Sequence, residues 1–156
     1  MRLQKFYGKN MEIKNFRHVG IVTNNLSRSI NFYKKVFGLK IFSNQIENDK
    51  SLGRIMGLEK VKIKTVKLKN DKTIILELLK WYYPKSKKNL IKKINSTGIT
   101  HFAVAVKDIN NVVNKIKKFK NCFISEPEIS VNKKVKYVFC KTPEKVFIEI
   151  VQVLKK

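Results

Sequence analysis

Four side chains in this sequence have the types and spacing of a metal-binding set. The chain holds two histidines, His18 and His101, each inside an apolar, β-branched run. Two glutamates interrupt other apolar runs: Glu77 in Ile74-Ile75-Leu76-Glu77-Leu78-Leu79 and Glu149 in Val146-Phe147-Ile148-Glu149-Ile150-Val151. A carboxylate among aliphatic side chains is costly when buried without a partner. Two imidazoles and two carboxylates form a neutral set with one divalent ion, and they suit Ni, Co, Zn, Mn or Fe. Such a set leaves an octahedral ion open positions for a substrate that chelates through neighbouring oxygens. The ion then acts as a Lewis acid, stabilising the enediolate formed when a proton leaves the carbon beside a carbonyl. A nearby carboxylate takes that proton.

The four residues are related by an internal repeat. At an offset of 83, His18-Val19-Gly20-Ile21-Val22-Thr23-Asn24-Asn25-Leu26 lies over His101-Phe102-Ala103-Val104-Ala105-Val106-Lys107-Asp108-Ile109. At an offset of 72, the run around Glu77 lies over the run around Glu149. The offsets differ by 11 residues, so the first half carries a longer internal loop, placed at the polar stretch Glu47–Lys60. Two copies of one His and one Glu at equivalent positions are hard to reconcile with a pair of ordinary structural histidines and two edge-strand glutamates.

Each half must position its pair, and each reads as strand, helix, then three strands. In the first half, strands fall at Phe16–Val22, Leu39–Ile46, Lys62–Lys69 and Thr73–Trp81. Asn25 is placed to cap a helix carrying Leu26, Ile30, Tyr33 and Phe37 on one stripe, with Gly38 at its end. Asn70-Asp71-Lys72 is a turn. In the second half, strands fall at Ile99–Val106, Cys122–Ser125, Lys134–Lys141 and Val146–Val153. Asp108 caps a helix with the stripe Ile109, Val112, Val113, Ile116 and Phe119, and Thr142-Pro143-Glu144-Lys145 is a turn. Side chains alternate across a strand. Val19, Ile21, Phe102, Val104, Leu76, Leu78, Ile148 and Ile150 therefore face the helices, and His18, His101, Glu77 and Glu149 face away. If the halves pair, the four converge in one cleft.

The chain has 156 residues, 43% of them hydrophobic, enough for one domain with a real core. No apolar run approaches the roughly 20 residues of a transmembrane helix, and residues 1–10 lack the apolar segment of a secretory signal. Cys122 and Cys140 stand 18 residues apart, outside any Cys-x-x-Cys pattern, as free thiols of a cytoplasmic protein do. The net charge is +24, yet only four of the 35 basic residues are Arg and the other 31 are Lys. This bias points to a solvated basic surface that attracts anionic metabolites and makes a nucleic-acid partner the lesser expectation, while the lack of a long apolar run leaves no membrane expected. The expected organisation is an N-terminal arm at 1–13, a first module at 14–84, a basic linker at 85–97 and a second module at 98–156. The fold class is α+β, two tandem βαβββ modules forming a cleft-shaped mixed sheet with helices on the outer face.

This pattern resembles the vicinal oxygen chelate superfamily, the glyoxalase, bleomycin-resistance and dioxygenase fold, over residues 14–153. The resemblance rests on His18-Val19-Gly20-Ile21-Val22, Leu26-Ser27-Arg28-Ser29-Ile30-Asn31-Phe32-Tyr33, Phe37-Gly38-Leu39, Glu77-Leu78-Leu79, His101-Phe102-Ala103 and Pro143-Glu144 before Ile148-Glu149-Ile150. It implies one divalent metal per site, held by His18, Glu77, His101 and Glu149. It implies a homodimer, because glyoxalase I-like members often form the site across two chains. It also implies a lactoylglutathione lyase-like isomerisation, with Glu149 or Glu77 doubling as ligand and base. Arg54 and nearby Lys residues would hold a small anionic metabolite or thiol conjugate. A close variant is a methylmalonyl-CoA epimerase-like reaction with Glu47 as a separate base, although such members commonly carry Gln where this chain has Glu77. Ring-cleaving dioxygenases and drug-sequestering resistance proteins share the fold. The family's turn before the last strand is usually Asp-Pro-Asp/Glu-Gly, where this chain has Thr142-Pro143-Glu144-Lys145.

Overall fold

The computed structural model describes residues 16–71, 75–87 and 93–154. The expected arm at 1–13, residues 14–15 of the expected first module, Lys72 of the expected turn, Thr73 and Ile74 of the expected strand, residues 88–92 of the expected linker and residues 155–156 of the expected second module lie outside the described residues. The first half holds β1 (Val19–Val22), α1 (Leu26–Phe37), β2 (Lys40–Glu47), α2 (Lys50–Ile55), β3 (Lys62–Lys69) and β4 (Ile75–Tyr83). The second holds β5 (His101–Ala105), α3 (Ile109–Lys117), β6 (Phe123–Ile124), β7 (Glu128–Ile129), β8 (Val135–Lys141) and β9 (Phe147–Val153).

Each half is a βαβββ module around its own mixed sheet. The first sheet has the order β1-β4-β3-β2, with β1 parallel to β4 and the remaining pairs antiparallel. The second has the order β5-β9-β8-β6, with β7 also paired to β8 and β5 parallel to β9. The parallel pairing follows from the helix between the first two strands, which carries the chain back over the sheet. It leaves β1 and β5, the two strands adjoining the histidines, at the edges of their sheets.

Local sequence chemistry fixes the helices. The Asn25 side chain accepts from the Arg28 amide, and the Asp108 side chain accepts from the Asn111 amide, each satisfying a donor at a helix start. Gly38 ends α1 at φ 69°, where its amide bonds Lys34 O at 3.0 Å; a side chain would be strained there.

One hydrophobic core runs through both modules. Leu76, Leu78, Ile148 and Ile150 are at most 2% exposed, and they pack with Phe32, Tyr33, Val36, Ile109 and Ile116. Burying each such side chain contributes about 1.5–3 kcal/mol. The stripe of α1 differs from the expected one: Leu26, Ser29, Phe32, Tyr33 and Val36 are buried, whereas Ile30 and Phe37 are only partly so. The reason is that α1 packs against α3 as well as its own sheet. The Phe32 and Phe119 rings meet edge to face with centroids 5.2 Å apart.

Polar contacts reinforce this joint. Glu144, in the β8–β9 turn, accepts from the hydroxyls of Ser29 and Tyr33 on α1. The Arg28 guanidinium donates to Lys120 O at 2.7 Å. Burial, seconded by the Glu144 charge, holds the Tyr33 phenol well above its ordinary pKa.

The stretch expected as a plain loop at Glu47–Lys60 contains α2. Asp49 caps it by accepting from the Ser51 amide at 2.7 Å, and that bond holds its carboxyl below the usual range. Gly53 is required here, since a Cβ on it would lie 2.7 Å from Leu58 O.

Candidate functional site

Alternation along β1 and β4 sets the first half of the site. Ile21, Leu76 and Leu78 are buried on the helix side, so Gly20 and Glu77, paired across the two strands, share the opposite face. His18 immediately precedes β1 and points to that face. Its Nε2 lies 3.3 Å from Glu77 Oε2. The other carboxylate oxygen, Oε1, lies 3.4 Å from Nζ of Lys67, the residue opposite Glu77 on β3. The Glu77 side chain is 13% exposed, so its charge is partly shielded from water.

The second module repeats the geometry. His101 Nε2 lies 3.6 Å from Glu149 Oε2, and Ala103 pairs with Glu149 as Gly20 does with Glu77. His101 Nδ1 is 3.0 Å from the Thr100 hydroxyl. When Nδ1–H donates to that oxygen, Nε2 carries the lone pair toward Glu149, the arrangement that orients a ligand histidine. Opposite Glu149 on β8 stands Phe139, whose ring meets the His101 ring edge-on at 5.3 Å.

The structure brings together His18 with Glu77 and His101 with Glu149. It does not bring the two pairs into one group within a chain. Among the described residues, no three His, Cys, Asp or Glu side chains are gathered closely enough to hold an ion. Arg54 sits exposed on α2, outside both pairs. Glu47, at the end of β2, accepts from Thr65 Oγ1 at 2.7 Å and Gln45 Nε2 at 3.2 Å. Register puts Thr65 two residues along β3 from Lys67, so this carboxylate leans over the same sheet face as Glu77. Tyr83 is half exposed, with the Lys60 ammonium 5.8 Å from its ring centroid. An apolar cavity of about 410 Å³ lies between the modules on the opposite face, lined by residues including Val19, Tyr33, Phe37, Leu76, Phe102 and Ile148. It carries no His–Glu pair.

Lys67, Thr65 and Gln45 are site-face residues that the sequence reading passed over. Strand parity could have found them. Counting in steps of two from Lys67 gives Thr65, and Thr65 pairs with Gln45 on β2.

Taken pair by pair, the donor types suit a divalent ion, although two donors do not by themselves complete its coordination. Neighbouring ligand atoms each about 2.1 Å from an ion are about 3.0 Å apart in octahedral and about 3.4 Å apart in tetrahedral geometry. The two His–carboxylate separations are close to this.

Residues 15–150 match the family model of the Glyoxalase/Bleomycin resistance protein/Dioxygenase superfamily. The chain is 31% identical over 143 residues to the mitochondrial methylmalonyl-CoA epimerase of Dictyostelium discoideum, covering 88% of this chain and 78% of that protein. Its fold matches a glyoxalase family protein from Bacillus cereus with a TM-score of 0.84 at 19% identity, over 94% of this chain and 98% of that one. It also matches the glyoxalase I of Leishmania major with a TM-score of 0.61 at 22% identity, over 89% of this chain and 86% of that one.

Proposed function

This chain belongs to the Glyoxalase/Bleomycin resistance protein/Dioxygenase superfamily, and we propose that it is a divalent-metal-dependent enzyme moving a proton at the carbon beside the carbonyl of an anionic acyl thioester, as an epimerase does. The observation that carries this reading is the pair of equivalent His–carboxylate contacts, at 3.3 and 3.6 Å, on the sheet faces turned away from the helices.

His18, Glu77, His101 and Glu149 would hold the ion. When bound, it supplies Lewis-acid stabilisation of the negative charge that forms on the carbonyl oxygen. The chain's own groups do the rest. Epimerisation needs one group to remove a proton from one side of the carbon and another to deliver a proton on the opposite side. Glu149 and Glu47 are assigned those tasks. Glu47 is held by Thr65 and Gln45, which fix where its carboxylate points. The likeness to the Dictyostelium discoideum epimerase supports this choice of reaction.

A second copy of the chain completes the site. β1 and β5 are sheet edges, and each ends one half of the donor set. Bringing the β1 edge of one copy beside the β5 edge of another gathers four donors twice in a symmetric dimer.

A lactoylglutathione lyase-like reaction is the second reading, favoured by one residue. Glu77 supplies a carboxylate where the epimerase-like members commonly carry Gln. The test is an assay in heavy water, with the metal-reconstituted protein given (2R)-methylmalonyl-CoA and, separately, methylglyoxal with a thiol. Deuterium entry at C2 and formation of the 2S epimer support the first reading. Turnover of the thiol adduct alone replaces it with the second. Absence of both ends the catalytic proposal.

A further inference from the structure

The two half-sites repeat one His–Glu contact but differ in the residue that stands opposite the glutamate. The offset of 72 that carries Glu77 onto Glu149 also carries Lys67 onto Phe139. Both stand directly opposite the glutamate on the neighbouring antiparallel strand. In the second module His101 and Glu149 keep their contact beside Phe139, with no ammonium at that position. An ammonium opposite the glutamate is therefore not a general requirement for the His–Glu contact in this fold.

Charge indicates what Lys67 does there. Among the described residues, Glu77 is the one carboxylate within ion-pair distance of Lys67. A divalent ion held by Glu77 and Glu149 would already neutralise both glutamates. Lys67 would then lose Glu77 as its counter-charge, in a place where its side chain is only 30% exposed and Glu47, held by Thr65 and Gln45, is the other carboxylate on that sheet face. Such a site favours a ligand bringing one extra negative charge. Were a second copy to bring the half-sites together, Phe139 would give the wall facing Lys67 an apolar surface.

We propose that Lys67 is a specificity residue, whose ammonium binds a carboxylate on the substrate and so selects acyl groups bearing a free carboxylate over neutral ones. This rests on the proposed function in taking the same face as the substrate cleft. The carboxylate could come from a carboxylated acyl group or from a free dicarboxylic acid, so the probes separate anion recognition from turnover.

The experiment titrates malonate, then malonamide, into the full-length protein reconstituted with cobalt, by calorimetry. Lys67→Met and Lys67→Arg are run beside the unaltered protein, with cobalt content measured for each. The unaltered protein should bind malonate with a preference over malonamide of about tenfold or more. Lys67→Met should lose that preference while keeping its cobalt, and Lys67→Arg should retain most of it. Malonyl-CoA and acetyl-CoA, which differ by one carboxylate, should show the same contrast. An unaltered preference in Lys67→Met, or no preference in the unaltered protein, overturns the proposal. Cobalt bound normally by His18→Ala would instead overturn the ligand assignment, a separate result.

Discussion

Lys145 occupies the last place of the β8–β9 turn with φ 65°, a left-handed conformation that glycine adopts freely and lysine does not. The turn survives because its bonds are made: Lys145 N to Thr142 O at 2.9 Å, and Thr142 N to Val146 O at 2.9 Å. Lys145→Gly should therefore stabilise the fold by about 1 kcal/mol, read as a higher midpoint in urea. A lower midpoint would mean the lysine side chain matters more than its backbone. Cys140 makes a second prediction at this scale. Burial pushes its thiol up to about 12, with the neighbouring Cys122 adding to the effect. A raised acid favours the native state while the pH stays below the ordinary thiol value of 9.0, and that contribution fades as the pH rises toward about 12. Tyr33 shifts in the same direction, so the two act together. Thermal melting should fall steeply between those limits, and Cys140→Val should flatten part of the fall. A melting temperature flat to pH 11 would contradict it.

Between elements, the joint of α1 with the second module is held at its polar rim by Glu144. Replacing it by Gln keeps the shape but removes the charge that accepts from both Ser29 and Tyr33. Glu144→Gln should lower stability by about 1–3 kcal/mol. The loss should appear in hydrogen exchange as faster opening of both α1 and α3, since they share a core; protection lost in only one module would argue that the modules are held independently. Most of this level is legible in the sequence. Asn25, Gly38 and Asp108 announce the helix ends, and aliphatic neighbours of fixed parity announce which way His18, Glu77, His101 and Glu149 face. What escapes has physical causes. α2 is a six-residue helix without an apolar stripe, held by a cap and by Gly53 against Leu58. β7 has two residues and exists only by pairing with β8. On β3, Lys67 stands among Lys62, Lys64 and Lys69 as one of four lysines that read alike, and its pairing with Glu77, which no local pattern prints, is what sets it apart. The buried stripe of α1 is turned by its contact with α3, a partner that no local pattern reveals.

At the scale of the molecule, the +24 charge surrounds a site proposed to take an anion. Association should be steered, so kcat/KM for an anionic thioester should fall several-fold as salt rises from about 20 mM to about 500 mM, with kcat unchanged. A kcat/KM independent of salt would leave the lysines without a kinetic role. No helix among the described residues is long and apolar enough to cross a membrane. Assembly is the larger question, because one chain carries two half-sites that do not meet among its described residues. The most direct test is complementation. His18→Ala and His101→Ala are each purified alone, and then co-expressed with distinct tags. If each ion is held by His18 and Glu77 of one copy and His101 and Glu149 of the other, each variant alone lacks tightly bound divalent metal. The co-expressed mixture, half of it mixed dimers with one intact site each, then recovers about a quarter of the unaltered metal content and activity. Metal retained by either variant alone, or none recovered in the mixed dimer, would contradict the account.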